Sequence, residues 1–198
     1  MIKNLIIDFG NVIYKVDLLA AHRKFYEIAK ISSINPNFQK INEIIDLYEC
    51  GKLKTYEFRD NIKNLLKWNT TDKDFDNVWN SILLGPFEFA EYSIANLAKK
   101  YNLFLLSNTS PLHYNKFKYE VDSIFKYFKE LFFSFEIGYK KPHAQIFKYA
   151  ISRSNIIPQE TLFLDDIQEN IDKFRLLGVQ GVLIHEKFTL KDFALNYL

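Results

Sequence analysis

The sequence contains few of the residues that would assign it to several large classes of protein. A single cysteine, Cys50, among 198 residues leaves no partner for an internal disulfide, which favours a reducing compartment and a cytoplasmic location. Five prolines and six glycines leave little of the chain with a composition typical of disorder. The net charge of +2 is too small to indicate binding to nucleic acid or to a membrane surface. Every apolar run is shorter than a membrane-spanning helix requires, so no transmembrane segment is predicted.

Five short apolar runs, each bounded by turn or polar residues, predict β-strands. They cover residues 4–8, 103–107, 131–135, 162–165 and 181–185. These runs are apolar almost throughout rather than alternating, which is typical of parallel strands buried on both faces. Helical periodicity over residues 88–100, 144–152 and 168–177 fills the gaps between the later strands. The pattern predicts a doubly wound α/β fold with a parallel five-stranded sheet.

The gap after the first strand differs from the others because no strand pattern interrupts it. Four helices are predicted there, at residues 18–29, 37–48, 55–68 and 72–83. We therefore predict an α/β core formed by residues 1–16 and 86–198 and an inserted four-helix cap formed by residues 17–85.

Polar residues follow the predicted strands at the points where these strands end. They are Asp8 after the first, Ser107, Asn108 and Thr109 at the second, Lys140 and Lys141 after the third, and Asp165, Asp166 and Asn170 at the fourth. Ligands of such sheets bind beyond the carboxyl ends of the strands. Carboxylates suit a hard cation such as Mg²⁺, hydroxyls, amides and lysine suit a phosphate, and an aspartate beside a metal can attack phosphorus. Each residue alone is typical of a helix cap or a solvated charge, but their shared order indicates one site.

Four stretches carry a resemblance to a known family. They are IIDFGNV (residues 6–12), LLSN (105–108), GYKKP with the following HAQIF (138–147), and FLDDIQEN (163–170). Together they are similar to the motifs of the haloacid dehalogenase (HAD) superfamily, over nearly the whole chain. The insert resembles the small helical cap of the subfamily that contains dehalogenases and phosphoglycolate phosphatases. The D-x-G-N-V form of the first stretch resembles the branch of α-glucose-1-phosphate phosphatase-like proteins.

This resemblance implies a HAD-like, Rossmann-type core and a Mg²⁺-dependent phosphatase. Its substrate would be a small phosphorylated metabolite, such as a sugar phosphate, and the protein would be a monomer or a homodimer. Asp8 would be the catalytic nucleophile, which forms an aspartyl-phosphate, and also a metal ligand. Gly10 would offer its backbone carbonyl to the metal, and Asp166 would bind the metal directly.

The resemblance also implies how the remaining strand-end residues act. Ser107 and the Asn108 amide would bind the phosphoryl oxygens. Lys141 would neutralise charge shared by the phosphate and the nucleophile, while its neighbour in the KK pair is expected to be exposed. Asp165 and Asn170 would hold Lys141 or the metal-bound waters.

The first stretch departs from the family pattern at Gly10. Most phosphatases of the superfamily carry an aspartate there, which protonates the leaving group and then activates water, a contribution worth roughly 10²–10⁴ in rate. Either the leaving group needs little protonation or another group substitutes. Asp17 and His22 are the candidate substitutes, and Asn11 is a residue that could position water. Gly10 itself is expected to preserve a tight backbone turn.

Two other functions remain open from the sequence. Dehalogenases of the superfamily also lack that aspartate, but they resemble metal-free enzymes with a serine-rich fourth motif, whereas the Asp165–Asp166 pair favours a cation that relieves repulsion. The second alternative is a binding or regulatory protein with a degraded site. The retention of Asp8 and Lys141 argues against it, because buried charges are costly.

The predicted cap covers the strand ends, so it should exclude water and contact the leaving group. Candidate substrate contacts in the cap are His22, Arg23, Tyr48, Glu49 and Lys52. Residues of these types in a helix are more often solvated than in contact with a substrate. Sugar phosphates, nucleotides and other small metabolites all remain possible substrates, because the cap rather than the core decides among them.

Overall fold

A parallel sheet of five strands lies at the centre of the structure, a computed structural model that describes residues 1–28 and 38–197. The strands in chain order are β1 (Asn4–Ile7), β2 (Tyr14–Val16), β3 (Leu83–Pro86), β4 (Asn102–Ser107), β5 (Glu130–Phe133), β6 (Thr161–Asp165) and β7 (Gln180–Leu183). The sheet has the order β5-β4-β1-β6-β7, and each neighbouring pair is parallel. The predicted α/β sheet is confirmed, and its strands fall on the predicted apolar runs.

Helices flank this sheet and fill the insert after the first strand. In chain order they are α1 (Leu18–Ile28), α2 (Phe38–Glu49), α3 (Thr55–Leu66), α4 (Asp72–Trp79), α5 (Ala90–Leu97), α6 (Pro111–Phe117), α7 (Asp122–Phe125), α8 (Ser134–Ile137), α9 (Ala144–Ser154), α10 (Gln168–Arg175) and α11 (Leu190–Tyr197). The sequence pattern does not predict α6, α7 and α8, because such short helices contain too few turns to show a period. It does not predict α11 either. In residues 1–28 and 38–197, none of the helices combines the length and hydrophobicity needed to cross a membrane.

Apolar side chains cover both faces of the sheet because successive strand residues point in opposite directions. Leu5 and Ile7 of β1 pack in one layer with Phe193 of α11, whereas Ile6 packs in the other layer with Phe147 of α9. The residues of β1 are buried on both faces, which explains why its sequence is apolar throughout. The carboxyl end of β1 therefore lies directly next to the buried centre of the sheet.

The chain enters and leaves the helical insert through a two-stranded antiparallel ribbon. In this ribbon β2 pairs with β3, with Tyr14 opposite Pro86 and Val16 opposite Leu83. The structure differs here from the expected helix over residues 72–83, because α4 ends at Trp79 and a 3₁₀ turn leads into β3. The pairing with β2 extends the backbone at this point and ends the helical run.

Helices α2, α3 and α4 form an apolar cluster of their own, which rests on the core. The core residue Leu112 of α6 belongs to this cluster, and its backbone N–H donates a hydrogen bond to the Tyr48 hydroxyl at 3.2 Å. At the turn after α2, a Cβ atom on Gly51 would lie 2.0 Å from the carbonyl oxygen of Phe135 in α8. Only glycine permits this approach, and its φ of +64° also favours glycine.

Replacing Gly51 by alanine is expected to destabilise the protein more than the same change at Gly138. Both glycines have positive φ, which costs an alanine about 1–2 kcal/mol. A Cβ at Gly138 meets nothing within 4 Å, whereas at Gly51 it overlaps Phe135. The overlap should add about 1–3 kcal/mol. Urea denaturation of the two variants measures the difference, and equal losses would contradict the close approach of this turn to α8.

Candidate active site

The side chains predicted at the strand ends meet at one edge of the sheet. Asp8 follows β1, and its backbone N–H donates to the carbonyl of Leu164 in the neighbouring strand β6 at 2.8 Å. Ser107 ends β4 on the other side of β1, and Asp165 ends β6. Because β1 lies between β4 and β6, these ends are adjacent in space although they are far apart in sequence.

The ammonium group of Lys141 lies between two carboxylates. Its Nζ is 2.6 Å from Oδ1 of Asp8 and 2.7 Å from Oδ2 of Asp165, and only 2% of the side chain is exposed. Burial alone lowers the pKa of Lys141, but the charges of Asp165 and Asp8 outweigh burial and raise it. The lysine therefore stays protonated and supplies a fixed positive charge beside Asp8.

The side chain of Asn108 fixes the backbone from which Lys141 extends. Its Nδ2 donates to the carbonyl of Lys141 at 2.9 Å, and its Oδ1 accepts from the N–H of Lys141 at 2.8 Å. The side-chain amide is thus used twice on one backbone unit. A contact from Asn108 to a ligand would therefore use its backbone N–H rather than its side chain.

Asp165 is a buried carboxylate with a hydrogen-bond donor on each oxygen. Its Oδ1 accepts from the backbone N–H of Ile167 at 2.8 Å and from Nδ2 of Asn170 at 2.9 Å. Its Oδ2 accepts from Lys141. Three donors satisfy the charge of Asp165, so this residue orients the lysine and closes the loop after β6.

Three carboxylates converge at this edge of the sheet. Oxygens of Asp8, Asp165 and Asp166 lie within 4.8 Å of one another. Burial raises the pKa of Asp8 to about 7, Lys141 opposes this shift, and the charges of Asp165 and Asp166 add to it. Burial and the charge of Asp165 likewise raise the pKa of Asp166. A hard divalent cation with oxygen ligands would relieve this repulsion, so the donor set fits such an ion.

The loop after Asp8 contains both Gly10 and Asn11, and the left-handed residue of the turn is Asn11 with a φ of +53°. The Asn11 Oδ1 accepts from the N–H of Val16 at 3.0 Å, and the Asn11 side chain also hydrogen-bonds Asp166. The expectation that Gly10 preserves the turn is therefore wrong, since Asn11 has that role. A Cβ on Gly10 would lie 3.6 Å from Cγ2 of Val16, an ordinary contact, so the position has room for a side chain.

A cavity of about 280 Å³ opens above these residues. Asp8, Ser107, Lys141 and Asp166 line its polar end. The predicted cap contributes Leu18, Glu49, Ile82 and Leu83, so most of that wall is apolar. The strand-end site and the cap therefore enclose one common space.

The candidate catalytic residues of the predicted cap lie at its first helix. Asp17 directly precedes α1, and its Oδ1 accepts from the N–H of Leu19 at 3.1 Å while its Oδ2 pairs with Arg23. The hydrogen bond from Arg23 lowers the pKa of Asp17. The backbone of His22 lies in α1, but its side chain is outside the part of the chain that the structure describes.

Two residues that line the cavity make contacts that the sequence does not predict. Lys140 is not freely exposed, because its Nζ pairs with Asp46 and with Glu49 of α2. His113 is buried in α6, where Nε2 lies 3.1 Å from the carbonyl oxygen of Trp79 and the two rings stack at 4.7 Å. Burial lowers the pKa of His113 to about 4, so the ring is neutral near pH 7. The sequence carries no local signal for either contact.

Comparisons with known proteins show which family the sequence resembles. A family model described as haloacid dehalogenase-like hydrolase matches residues 2–178. D-ribitol-5-phosphate phosphatase from Bacteroides thetaiotaomicron is 31% identical over 191 residues, which cover 91% of this chain and 90% of that protein.

Solved structures show the same similarity in three dimensions. A HAD family enzyme from Bacteroides thetaiotaomicron, in complex with magnesium and inorganic phosphate, is 30% identical with a TM-score of 0.79, and the match covers 93% of this chain and 95% of that chain. A predicted HAD-like family hydrolase from Porphyromonas gingivalis is 25% identical with a TM-score of 0.80, covering 92% of this chain and 91% of that chain. The fold and the chain length are therefore shared with these proteins.

Without a metal ion, Asp8 should make the folded state less stable as the pH rises. Between pH 3.8 and about 7 the folded protein holds a proton on Asp8 that the unfolded chain has released, so the free energy of unfolding falls across this range. Carboxylates with a lowered pKa, such as Asp17 and Asp72, act in the opposite direction. Their contribution to the free energy of unfolding is lost as the pH falls.

The comparison of wild type with Asp8→Asn isolates this effect, because the other groups cancel. Urea denaturation in EDTA across this pH range gives the free energy of unfolding of both proteins. We expect the value for wild type to decrease relative to that for Asp8→Asn as the pH rises. A difference that stays constant with pH would show that Asp8 does not titrate in this way.

Proposed function

The chain belongs to the haloacid dehalogenase-like hydrolase family, and on that premise we propose that it is a magnesium-dependent phosphatase. Its substrate is a small sugar-alcohol or sugar phosphate, and Asp8 is the nucleophile. Residues 1–16 and 86–198 form the catalytic core, and residues 17–85 form a cap over it. The observation that carries this proposal is the Asp8 carboxylate, which lies 2.6 Å from the buried Lys141 at the polar end of the cavity.

The carboxylate cluster supports a magnesium site. Asp8, Asp166 and the backbone carbonyl of Gly10 would hold the ion, while Asp165 and Asn170 orient Lys141 and the bound waters. A relative of known structure was solved with magnesium and inorganic phosphate, which favours this ion over other hard cations. When bound, the ion neutralises charge on the phosphoryl group that is being transferred.

Asp8 is suited to attack phosphorus because its partners keep it oriented. In the first step its oxygen forms a bond to phosphorus, the bond to the leaving oxygen breaks, and an aspartyl-phosphate results. Ser107 and the backbone N–H of Asn108 would hold the phosphoryl oxygens, and Lys141 would offset their charge. In the second step water attacks the same phosphorus, which releases inorganic phosphate and regenerates the Asp8 carboxylate.

Gly10 has no carboxyl group that could donate a proton to the leaving oxygen. Asp17 would have to break its ion pair with Arg23 and its hydrogen bond with the N–H of Leu19 before it could supply that proton. His22 of α1 remains the other candidate donor and substrate contact in this proposal. A substrate whose leaving group needs little help would also satisfy the site.

The size of the cavity favours a small substrate. Its volume of about 280 Å³ lies at the lower limit of ligand pockets, which span roughly 300–1,000 Å³. A five- or six-carbon phosphate ester suits such a space better than a nucleotide. The relative named D-ribitol-5-phosphate phosphatase supports a sugar-alcohol phosphate. The paired Asp165 and Asp166 favour a metal-dependent phosphatase over a metal-free dehalogenase, and a binding protein would not need an oriented nucleophile.

Replacing Asp8 by asparagine is expected to abolish phosphate release. The change removes the attacking oxygen and one metal ligand while it preserves the shape of the side chain. Turnover of D-ribitol 5-phosphate and of p-nitrophenyl phosphate is measured with Mg²⁺ and with EDTA. We expect Mg²⁺-dependent turnover in wild type and at least a 10³-fold loss in the variant, because removal of a nucleophile leaves little of the catalysed path. An Asp172→Asn variant, altered on the exposed face of α10, is the matched control and should stay active.

Turnover that persists in Asp8→Asn or in EDTA would refute the proposed mechanism. A folded wild-type protein without Mg²⁺-dependent turnover of either ester would instead favour the binding-protein alternative.

Introducing an aspartate at Gly10 is expected to accelerate hydrolysis of esters with poor leaving groups. The position has room for the side chain, and general acid catalysis is worth roughly 10²–10⁴ in rate. The Gly10→Asp variant should hydrolyse D-ribitol 5-phosphate about tenfold faster or more and should change little toward p-nitrophenyl phosphate, whose leaving group needs no proton. Gly10→Asn has the same shape without the acid and is the control. An equal gain in both variants would exclude acid catalysis as the cause.

A further inference from the structure

An ion cluster joins the cap to the core beside the active site. Lys140 of the core places its Nζ 2.7 Å from Oε2 of Glu49 and within hydrogen-bond distance of Oδ1 of Asp46. Both carboxylates belong to α2. The Lys140 side chain is only 21% exposed, although it carries a charge. Burial lowers the pKa of Lys140, but the two carboxylates outweigh burial and raise it to about 12.

Two members of this cluster line the active-site cavity, and the third does not. Lys140 and Glu49 are lining residues, whereas Asp46 lies outside with 59% of its side chain exposed. Among the described residues of the predicted cap that line the cavity, Glu49 is the only charged one. The pair therefore places two charged groups beside the apolar residues Leu18, Ile82 and Leu83 that the predicted cap contributes to the cavity.

The pair also retains hydrogen-bonding capacity. An ammonium group has three N–H donors, and two of those on Lys140 are directed to Asp46 and Glu49. Glu49 uses Oε2 for Lys140, and none of the hydrogen bonds among residues 1–28 and 38–197 uses its Oε1. One donor and one acceptor thus remain at the cavity wall.

We propose that Glu49 and Lys140 recognise hydroxyl groups on the leaving group of the substrate and so select polyol and sugar phosphates over esters that lack hydroxyls. This inference rests on the proposed phosphatase function and specifies its substrate class. A hydroxyl both donates and accepts a hydrogen bond, so it satisfies the carboxylate and the ammonium together. A leaving group without hydroxyls leaves both charged groups partly unpaired, which a site of this kind penalises strongly.

Asp46 supports this function from outside the cavity. Its charge keeps Lys140 compensated when the carboxylate of Glu49 turns toward a substrate hydroxyl. The competing explanation is that the cluster only clamps the cap onto the core. A clamp would treat Asp46 and Glu49 alike, since each provides one ion pair to the same ammonium, and it would not distinguish between substrates.

The test compares Glu49→Gln with Asp46→Asn, because each variant removes one charged partner of Lys140 and only the first changes the cavity wall. The probes are D-ribitol 5-phosphate, which carries hydroxyls, and p-nitrophenyl phosphate, which carries none on its leaving group. We expect Glu49→Gln to lower kcat/KM for the polyol ester about 10–100-fold, the loss expected for a hydrogen bond to a charged group, and to leave the aryl ester within about twofold. Asp46→Asn should leave the ratio of the two kcat/KM values within about threefold of wild type.

Several outcomes would overturn the proposal. An equal loss on both esters, or the same change of ratio in both variants, would indicate a clamp. An unchanged ratio in Glu49→Gln would exclude recognition through this residue. Lys140→Gln alters the other member of the pair and should shift the ratio of the two kcat/KM values in the same direction as Glu49→Gln. If thermal unfolding shows that Glu49→Gln does not fold, the ratio in Lys140→Gln decides between hydroxyl recognition and a clamp. An inactive wild type would remove the proposed function itself, whereas an active wild type with an unchanged ratio would remove only this inference.

Discussion

A buried ammonium group organises the site from which the rest of the function follows. Lys141 has almost no contact with solvent, and its charge is satisfied by Asp8 and Asp165 rather than by water. Removal of any member of such a cluster would leave an uncompensated charge at the edge of the sheet. Two hydrogen bonds between the Asn108 side chain and the Lys141 backbone, one donated by each residue, show that the fold fixes where this charge lies. The buried charge of Lys141 requires compensating groups at a fixed place. This requirement is consistent with the sheet order, the loop after β6 and the oriented Asp8 carboxylate.

The same edge of the sheet is where the cap helices meet the core. The β2–β3 ribbon connects the two covalently, and the turn at Gly51 packs directly against the backbone of Phe135. Lys140 and Lys141 are adjacent in sequence but point to different partners, one to the cap carboxylates and one to the core carboxylates. The same dipeptide therefore joins the candidate active site to the helices of the insert.

The sequence predicts the strand-end residues well because parallel strands end at a common edge whatever their order. It does not predict the partners of Lys140, since Asp46 and Glu49 lie 94 and 91 positions earlier in the chain and nothing local joins them. The β2–β3 ribbon escapes detection because β2 has only three residues and β3, Leu83–Pro86, contains a glycine and a proline that are typical of a turn. The burial of His113 depends on Trp79, a residue of the cap. Most of the features that the sequence does not predict are contacts between segments that are distant in the chain.

The apolar cluster of α2, α3 and α4 includes a residue that lies outside the insert. Leu112 of α6 is part of this cluster, and the backbone of Leu112 and the side chain of Ser110 hydrogen-bond Tyr48 and Trp79 of the cap. A cap moved to another family member on residues 17–85 alone would lose a piece of its own interior and expose apolar surface. The unit that can be exchanged in chimaeras, or that evolution can vary as a block, is therefore the insert together with the first helix after β4.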